Sequence, residues 1–290
     1  MKITVLQTNN DVKGLEARFK YIEELLAQLV DPGFVVLPEL SSSSYIPNSN
    51  IWPYKELHGE KTKVWSVKMA RKYHCYIGAG YVETDGHDIH NAYLVANEQR
   101  VQGVIRKSEG ESNIFCRGNF GCTVDTPLGE IGIAICFDAH RHQFYERLRR
   151  KNPVLILLPH AWPTNAKHAK QNRVKTDALG QAYAEAFGCP VVFANALGSV
   201  EQMRGITGML MNPRTFKLNG NSAIYQKGKT PIRAEREEIL QAEVDLESNK
   251  VCPIRFYNGW IDSDNWLFRK VILPFDVRRG EKIYRKTKQP

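Results

Sequence analysis

The sequence has no apolar run approaching the roughly 20 residues that a membrane-spanning helix requires. Val154 to Leu158, set between two prolines, is among its longest. The opening, Met1-Lys2-Ile3-Thr4-Val5-Leu6-Gln7, turns polar too early for a secretory leader. Cysteine is sparse: six in 290 residues, with no CxxC pair and no dense framework. A chain this long stabilises itself through its core, so reduced thiols in a cytoplasm are the simpler expectation. No Ser/Gly/Pro-rich linker, fixed-period repeat or low-complexity tract divides it. The proportions of hydrophobic (42%) and charged (24%) residues are ordinary for a globular chain and exclude disorder and fibre.

Charge is unevenly placed. Of the net +9, the last thirteen residues hold +5, from Arg278, Arg279, Lys282, Arg285, Lys286 and Lys288 against Glu281. Such a tail can hold phosphates or an acidic partner, or simply be solvated. No base-stacking motif, zinc spacing or recognition helix accompanies it, so neither a nucleic-acid nor a membrane partner is expected.

Hydrophobic periodicity predicts a strand over Lys2 to Thr8, a helix from about Val12 to Val30, and a continuous apolar strand Phe34-Val35-Val36-Leu37 stopped by Pro38. The pattern recurs. A helix from Lys61 to Tyr73 leads into the strand Cys75 to Val82, followed by strands at Asn91 to Ala96, Val101 to Arg106 and Ile131 to Ile135. A helix near Gln143 to Arg150 precedes the strand Val154 to Leu158, and a long helix over Ala166 to Phe187 precedes Pro190 to Asn195. Strands are predicted at Thr207 to Met211, Ala223 to Gln226 and Glu238 to Val244. Strand-rich α/β order of this kind suggests two packed sheets with helices outside. One α/β domain over residues 1–245 is expected, with 246–290 as its extended C-terminal tail.

Three ionisable side chains directly follow apolar strands, where open α/β folds present ligands: Glu39, Lys107 and Cys136. Each alone has a plain explanation, as a solvated acid, a solvated cation or a small buried hydrophobe. Together they supply the parts of a covalent hydrolase. A thiol with a pKa of about 8.5 needs a base at neutral pH, and Glu39 can take that proton and later return it to a leaving amine. Attack on an amide places charge on oxygen, for which the Lys107 ammonium and the backbone N–H of Phe137 are candidate donors. No clustered His/Cys/Asp spacing suggests a metal, and no cofactor is expected.

These residues sit in blocks with a family likeness. Asn9-Asn10-Asp11 with Leu37-Pro38-Glu39-Leu40, the Arg106-Lys107 strand end, and Gly132-Ile133-Ala134-Ile135-Cys136-Phe137-Asp138 resemble blocks of the nitrilase, or carbon–nitrogen hydrolase, superfamily. The likeness continues through Ala194 to Gly198, Gly208 and Asn212-Pro213 to Asp276-Val277-Arg278-Arg279, in the family's order. The resemblance implies a four-layer α-β-β-α sandwich and a Glu39-Lys107-Cys136 triad. It also implies a second glutamate that orients lysine and substrate: Glu111 has the family's spacing to Gly118, with Glu109 as its competitor. A homodimer or larger assembly is likewise implied.

The family commonly follows Cys-x-Asp with an aromatic-Pro-Glu turn, whereas this chain has Ala139-His140-Arg141-His142-Gln143-Phe144. In several relatives an arginine near this turn grips a substrate carboxylate. His140 or Arg141 could do so here, against plain surface solvation of both. Trp162 could wall the pocket or be a core aromatic. Asp138 looks like the amide-cleaving branches, so a small amide or N-carbamoyl substrate is expected, with nitrile hydrolysis as the alternative. Two rival readings remain: a papain-like dyad of Cys136 with His140, His142 or His160, and a fold kept as a non-catalytic scaffold.

Overall fold

The computed structural model of the chain describes residues 1–234, 238–249, 252–257, 259–261 and 266–288. The first half runs β1 (Lys2–Leu6), α1 (Leu15–Leu26), β2 (Phe34–Val36), β3 (Glu56–Leu57), α2 (Glu60–Tyr73), β4 (Tyr76–Thr84), β5 (Ile89–Ala96) and β6 (Val101–Arg106). Then come β7 (Thr123–Thr126), β8 (Gly129–Ile133), α3 (His142–Leu148), β9 (Pro153–His160), β10 (Pro163–Asn165), α4 (Ala169–Phe187), β11 (Val191–Asn195) and β12 (Leu197–Ser199). The last are α5 (Gly205–Met209), β13 (Phe216–Asn219), β14 (Ala223–Tyr225), β15 (Ile232–Arg233), β16 (Ile239–Glu243) and α6 (Leu273–Thr287).

One sheet has the order β16-β1-β2-β4-β5-β6, with β3 on β4, and the other β15-β14-β11-β9-β8-β7. Neighbours β1, β2 and β4 are parallel, as are β8, β9 and β11. Their alternating side chains sort into layers. Ile3, Val5, Val36, Ile133, Leu157 and Val192 meet between the sheets. Val35, Leu37 and Ile77 face outward onto Ile22, Leu26 and Met69 of α1 and α2. Ile156, Leu158 and Phe193 face outward onto Phe144, Leu179 and Tyr183 of α3 and α4. Strands buried on both faces are therefore continuously apolar, each such side chain contributing ~1.5–3 kcal/mol. The result is the expected four-layer α-β-β-α sandwich.

Three features of the structure depart from the sequence reading. Thr207 to Met211, predicted as a strand, lies largely within the short helix α5; the Asp276 carboxylate, far along the chain, accepts from the Ile206 N–H at 2.9 Å and anchors its first turn. The tail is not simply extended: residues 273–287 form α6, preceded by a π-helical turn over Phe268–Ile272. Asp276, Gly280 and Tyr284, at four-residue spacing, turn to the protein. Ile89 N donates to Tyr284 Oη at 2.8 Å. Positions 250–251, 258, 262–265 and 289–290 of the expected tail lie outside the described residues. Third, a small sheet β10-β13-β12 was not expected at all. Among the described residues no helix is long and apolar enough to cross a membrane.

Candidate active site

Glu39, Lys107 and Cys136 stand just beyond the ends of β2, β6 and β8. Leu40 turns the chain directly after Glu39 with φ 51°. That turn packs on β4 at Gly80, where a Cβ would lie 2.3 Å from the Leu40 nitrogen, so only glycine fits. Lys107 is pinned through its main chain: its N–H donates to Asn91 O, and Gly118 N donates to its carbonyl, each at 2.8 Å. Cys136 begins a 3₁₀ turn over Cys136–His140 and has φ 49°, a left-handed conformation that costs a non-glycine residue about 1–2 kcal/mol. The turn is closed by the Asp138 N–H, which donates to Ile135 O at 3.1 Å.

The structure brings these side chains together. Lys107 Nζ donates to Glu39 Oε1 at 2.5 Å and to Glu111 Oε2 at 3.3 Å, with all three groups buried. Glu39 Oε1 also accepts from Asn91 Nδ2 at 2.7 Å, and Oε2 from the Ala161 N–H at 2.9 Å. Tyr45 Oη donates to Glu111 Oε1 at 2.5 Å. Burial pushes the Glu39 carboxyl above its ordinary value, against the pull of Lys107, whereas Lys107 and the Tyr45 hydroxyl hold Glu111 below it despite its own burial. Lys107, desolvated but facing two carboxylates, is held well above the usual lysine range. Burial, and next the Glu39 charge, push the Cys136 thiol well up, with Lys107 opposing. The resting site therefore holds a neutral thiol beside a strengthened carboxylate base and a firmly charged ammonium.

Of the two candidates for the second glutamate, Glu111 faces Lys107; Glu109 turns away to Arg117 (3.0 Å) and Arg141 (3.3 Å). Phe137 lines a cavity of about 110 Å³ with Glu111, Met203, Arg204 and Asp276. His140 is buried and its imidazole is driven down to about 3 by burial and then by the Arg269 and Lys175 charges, so it is uncharged at neutral pH. The Arg141 guanidinium faces Glu109 and lies 4.3 Å from the Trp260 ring centroid. Trp162 stacks on His160 and meets His140 edge-on. The charges that bear on the Cys136 thiol are Glu39, Lys107 and Glu111, and His142 is half exposed beside Glu146.

Sequence reasoning missed Tyr45, Asn91 and the Ala161 N–H, which carry no recognisable signal in a loop, a strand and a main chain. It noticed Asp138 only as a branch marker. The Asp138 carboxylate accepts from the Ser108 N–H at 2.9 Å and the Glu109 N–H at 2.6 Å, tying the turn after Cys136 to the loop after Lys107. Burial pushes its carboxyl from 3.8 to about 7 in spite of those two donors. Between these values the folded state keeps a proton that the unfolded chain has released, so stability falls as pH rises through the window and levels off above it. Asp138→Asn is expected to remove that slope and to cost about 1 kcal/mol for one lost acceptor. Thermal unfolding of both proteins from about pH 4 to pH 7 checks this; parallel profiles would refute it.

The chain is thus a two-sheet sandwich with outer helices that carries a carboxylate, an ammonium and a thiol just beyond its strand ends. The family model of the carbon–nitrogen hydrolases matches residues 2–252, and the chain belongs to that family. A comparison with curated proteins finds no match. Among solved structures the chain is similar to a carbon–nitrogen hydrolase from Helicobacter pylori (TM-score 0.71, 22% identity, 85% of this chain and 90% of that one). It is also similar to an amidase from Nesterenkonia sp. AN1 carrying the product of Michael addition of acrylamide at its active site cysteine (TM-score 0.67, 16% identity, 85% and 94%). A third is Saccharomyces cerevisiae Nit3, a member of branch 10 of the nitrilase superfamily (TM-score 0.63, 18% identity, 99% and 96%). At these identities the likeness is one of fold.

Proposed function

We propose that the protein hydrolyses the C–N bond of a small amide or N-carbamoyl compound through a Cys136 thioester. The observation that carries this reading is the buried Glu39–Lys107–Glu111 chain set against Cys136. Glu39 takes the thiol proton as sulfur attacks the carbonyl carbon. The resulting oxyanion is met by Lys107 Nζ and the Phe137 N–H, one such donor being worth ~3–4 kcal/mol. Glu39 then gives its proton to the leaving nitrogen, the C–N bond breaks, and ammonia departs. Water, deprotonated by Glu39, attacks the thioester; the C–S bond breaks, Glu39 returns its proton to the Cys136 sulfur, and the acid leaves. Glu111, tied to Tyr45 and Lys107, holds the ammonium in place. A raised carboxyl pKa suits Glu39 to this work, because the better base is the one whose pKa nears the working pH.

An ammonia-release panel of amides, N-carbamoyl compounds and nitriles tests the reading. Turnover of amides or carbamoyl compounds above nitriles is expected. Release from nitriles alone would shift the chemistry to the other branch, and none from any member would end the proposal.

A further inference from the structure

We propose that the groove between α5 and α6 receives an anionic end of the substrate, so that the substrate is an amide whose far end bears a carboxylate or phosphate; this rests on the C–N hydrolase reading above. The groove has a volume of about 910 Å³ and carries Arg204, Arg214 and Arg279. It shares Asn113, Met203, Arg204 and Asp276 with the cavity at Glu111 and Phe137, so the two spaces have common walls. Helix α6 is held against the site loop at Gly280, where a Cβ would lie 2.2 Å from Ser112 Oγ. The neighbouring Arg279 is exposed and lines the groove, as do the exposed Arg204 and Arg214.

Charge decides what such a groove attracts. Its one carboxylate, Asp276, is engaged with the Ile206 N–H at 2.9 Å. Glu201, next in the chain to this loop, is engaged by Lys13 at 2.6 Å and by Asn48 and Asn50. Among the described residues no carboxylate stands within ion-pair distance of Arg204, Arg214 or Arg279, whereas Arg117 and Arg141 beside the site are paired with Glu109. Guanidinium groups left unpaired in a concave wall favour planar or tetrahedral oxyanions, which they bind through two N–H donors at once. Met203, Ile206 and Ile283 line the same groove and suit the alkyl chain between that anion and the amide. A neutral substrate would gain nothing from the arginines, and a cationic one would be repelled.

Calorimetric titration of the whole protein with glutarate, propyl phosphate and the neutral diamide of glutaric acid tests the groove without relying on turnover. The better-bound anion is expected to bind about tenfold more tightly than the diamide, and to weaken by a similar factor in the Arg204→Ala/Arg279→Ala double variant and with added salt. Whether glutarate or propyl phosphate shows this loss identifies which oxyanion the groove takes. Equal binding of the anions and the diamide, or anion binding indifferent to the two arginines, would overturn the proposal. Ammonia release from glutaric monoamide and diamide separates the two readings. A lower KM for the monoamide at similar kcat, raised in the double variant, supports both. Arginine-dependent binding with no ammonia keeps the groove and removes C–N hydrolysis; equal turnover of both amides, indifferent to the arginines, keeps C–N hydrolysis and removes the groove.

Discussion

Cys136→Ala is expected to lower amide turnover by roughly four orders of magnitude or more, because no other group can form the thioester. The other five cysteines give no substitute. Cys75, Cys122 and Cys189 are buried, with thiols raised by burial, and none of the five is among the charges grouped around Glu39 and Lys107. The fold should survive: alanine accepts the same left-handed turn at the same cost, and only a sulfur atom is removed. Steady-state ammonia release and a thermal unfolding curve check the two halves together. Turnover surviving in a clean preparation with an unchanged unfolding midpoint would remove covalent catalysis.

Glu39→Gln is expected to lose roughly 10²–10⁴-fold in turnover while keeping the shape of the site. Its second consequence runs the other way. The Glu39 charge raises the Cys136 thiol and Lys107 lowers it. With that carboxylate gone, the Lys107 ammonium acts less opposed, so the thiol is expected to ionise at lower pH than in the parent. Titrating thiolate absorbance in both proteins reads this shift directly. In the parent, turnover should rise with pH along a limb above the usual glutamate range, since the carboxyl must be deprotonated to act and burial raises its pKa. That limb should vanish in the variant. A variant thiol that titrates unchanged or higher would mean that Glu39 does not face the sulfur.

The sequence exposed Glu39 and Cys136 because each follows a run of side chains buried on both faces, such as Phe34-Val35-Val36 before Glu39, whereas Lys107 follows a strand in which only Ile105 is fully buried. Hydrophobic runs of that kind are set by packing between layers, which periodicity detects. What closes the site around them was not legible. Asn91 and Tyr45 are ordinary polar residues until folding aims them at Glu39 and Glu111. The Ala161 donor is a main-chain group whose identity says nothing about its role. Helix α5 depends on Asp276, a partner that no local window contains. Likewise α6 turns Asp276, Gly280 and Tyr284 to the protein, a stripe chosen by fit and hydrogen bonding, not by hydrophobicity. Local pattern gave the layers; long-range polar geometry arranged their working end.

A shared acyl-enzyme can be tested by competition for its release. Two amides with the same acyl group and different leaving amines are turned over in the presence of hydroxylamine, and the ratio of hydroxamate to free acid is measured for each. If both pass through the same Cys136 thioester, the leaving group has gone before the partition, and the two ratios are equal. Ratios that follow the leaving amine would show that no common intermediate forms and would contradict the account.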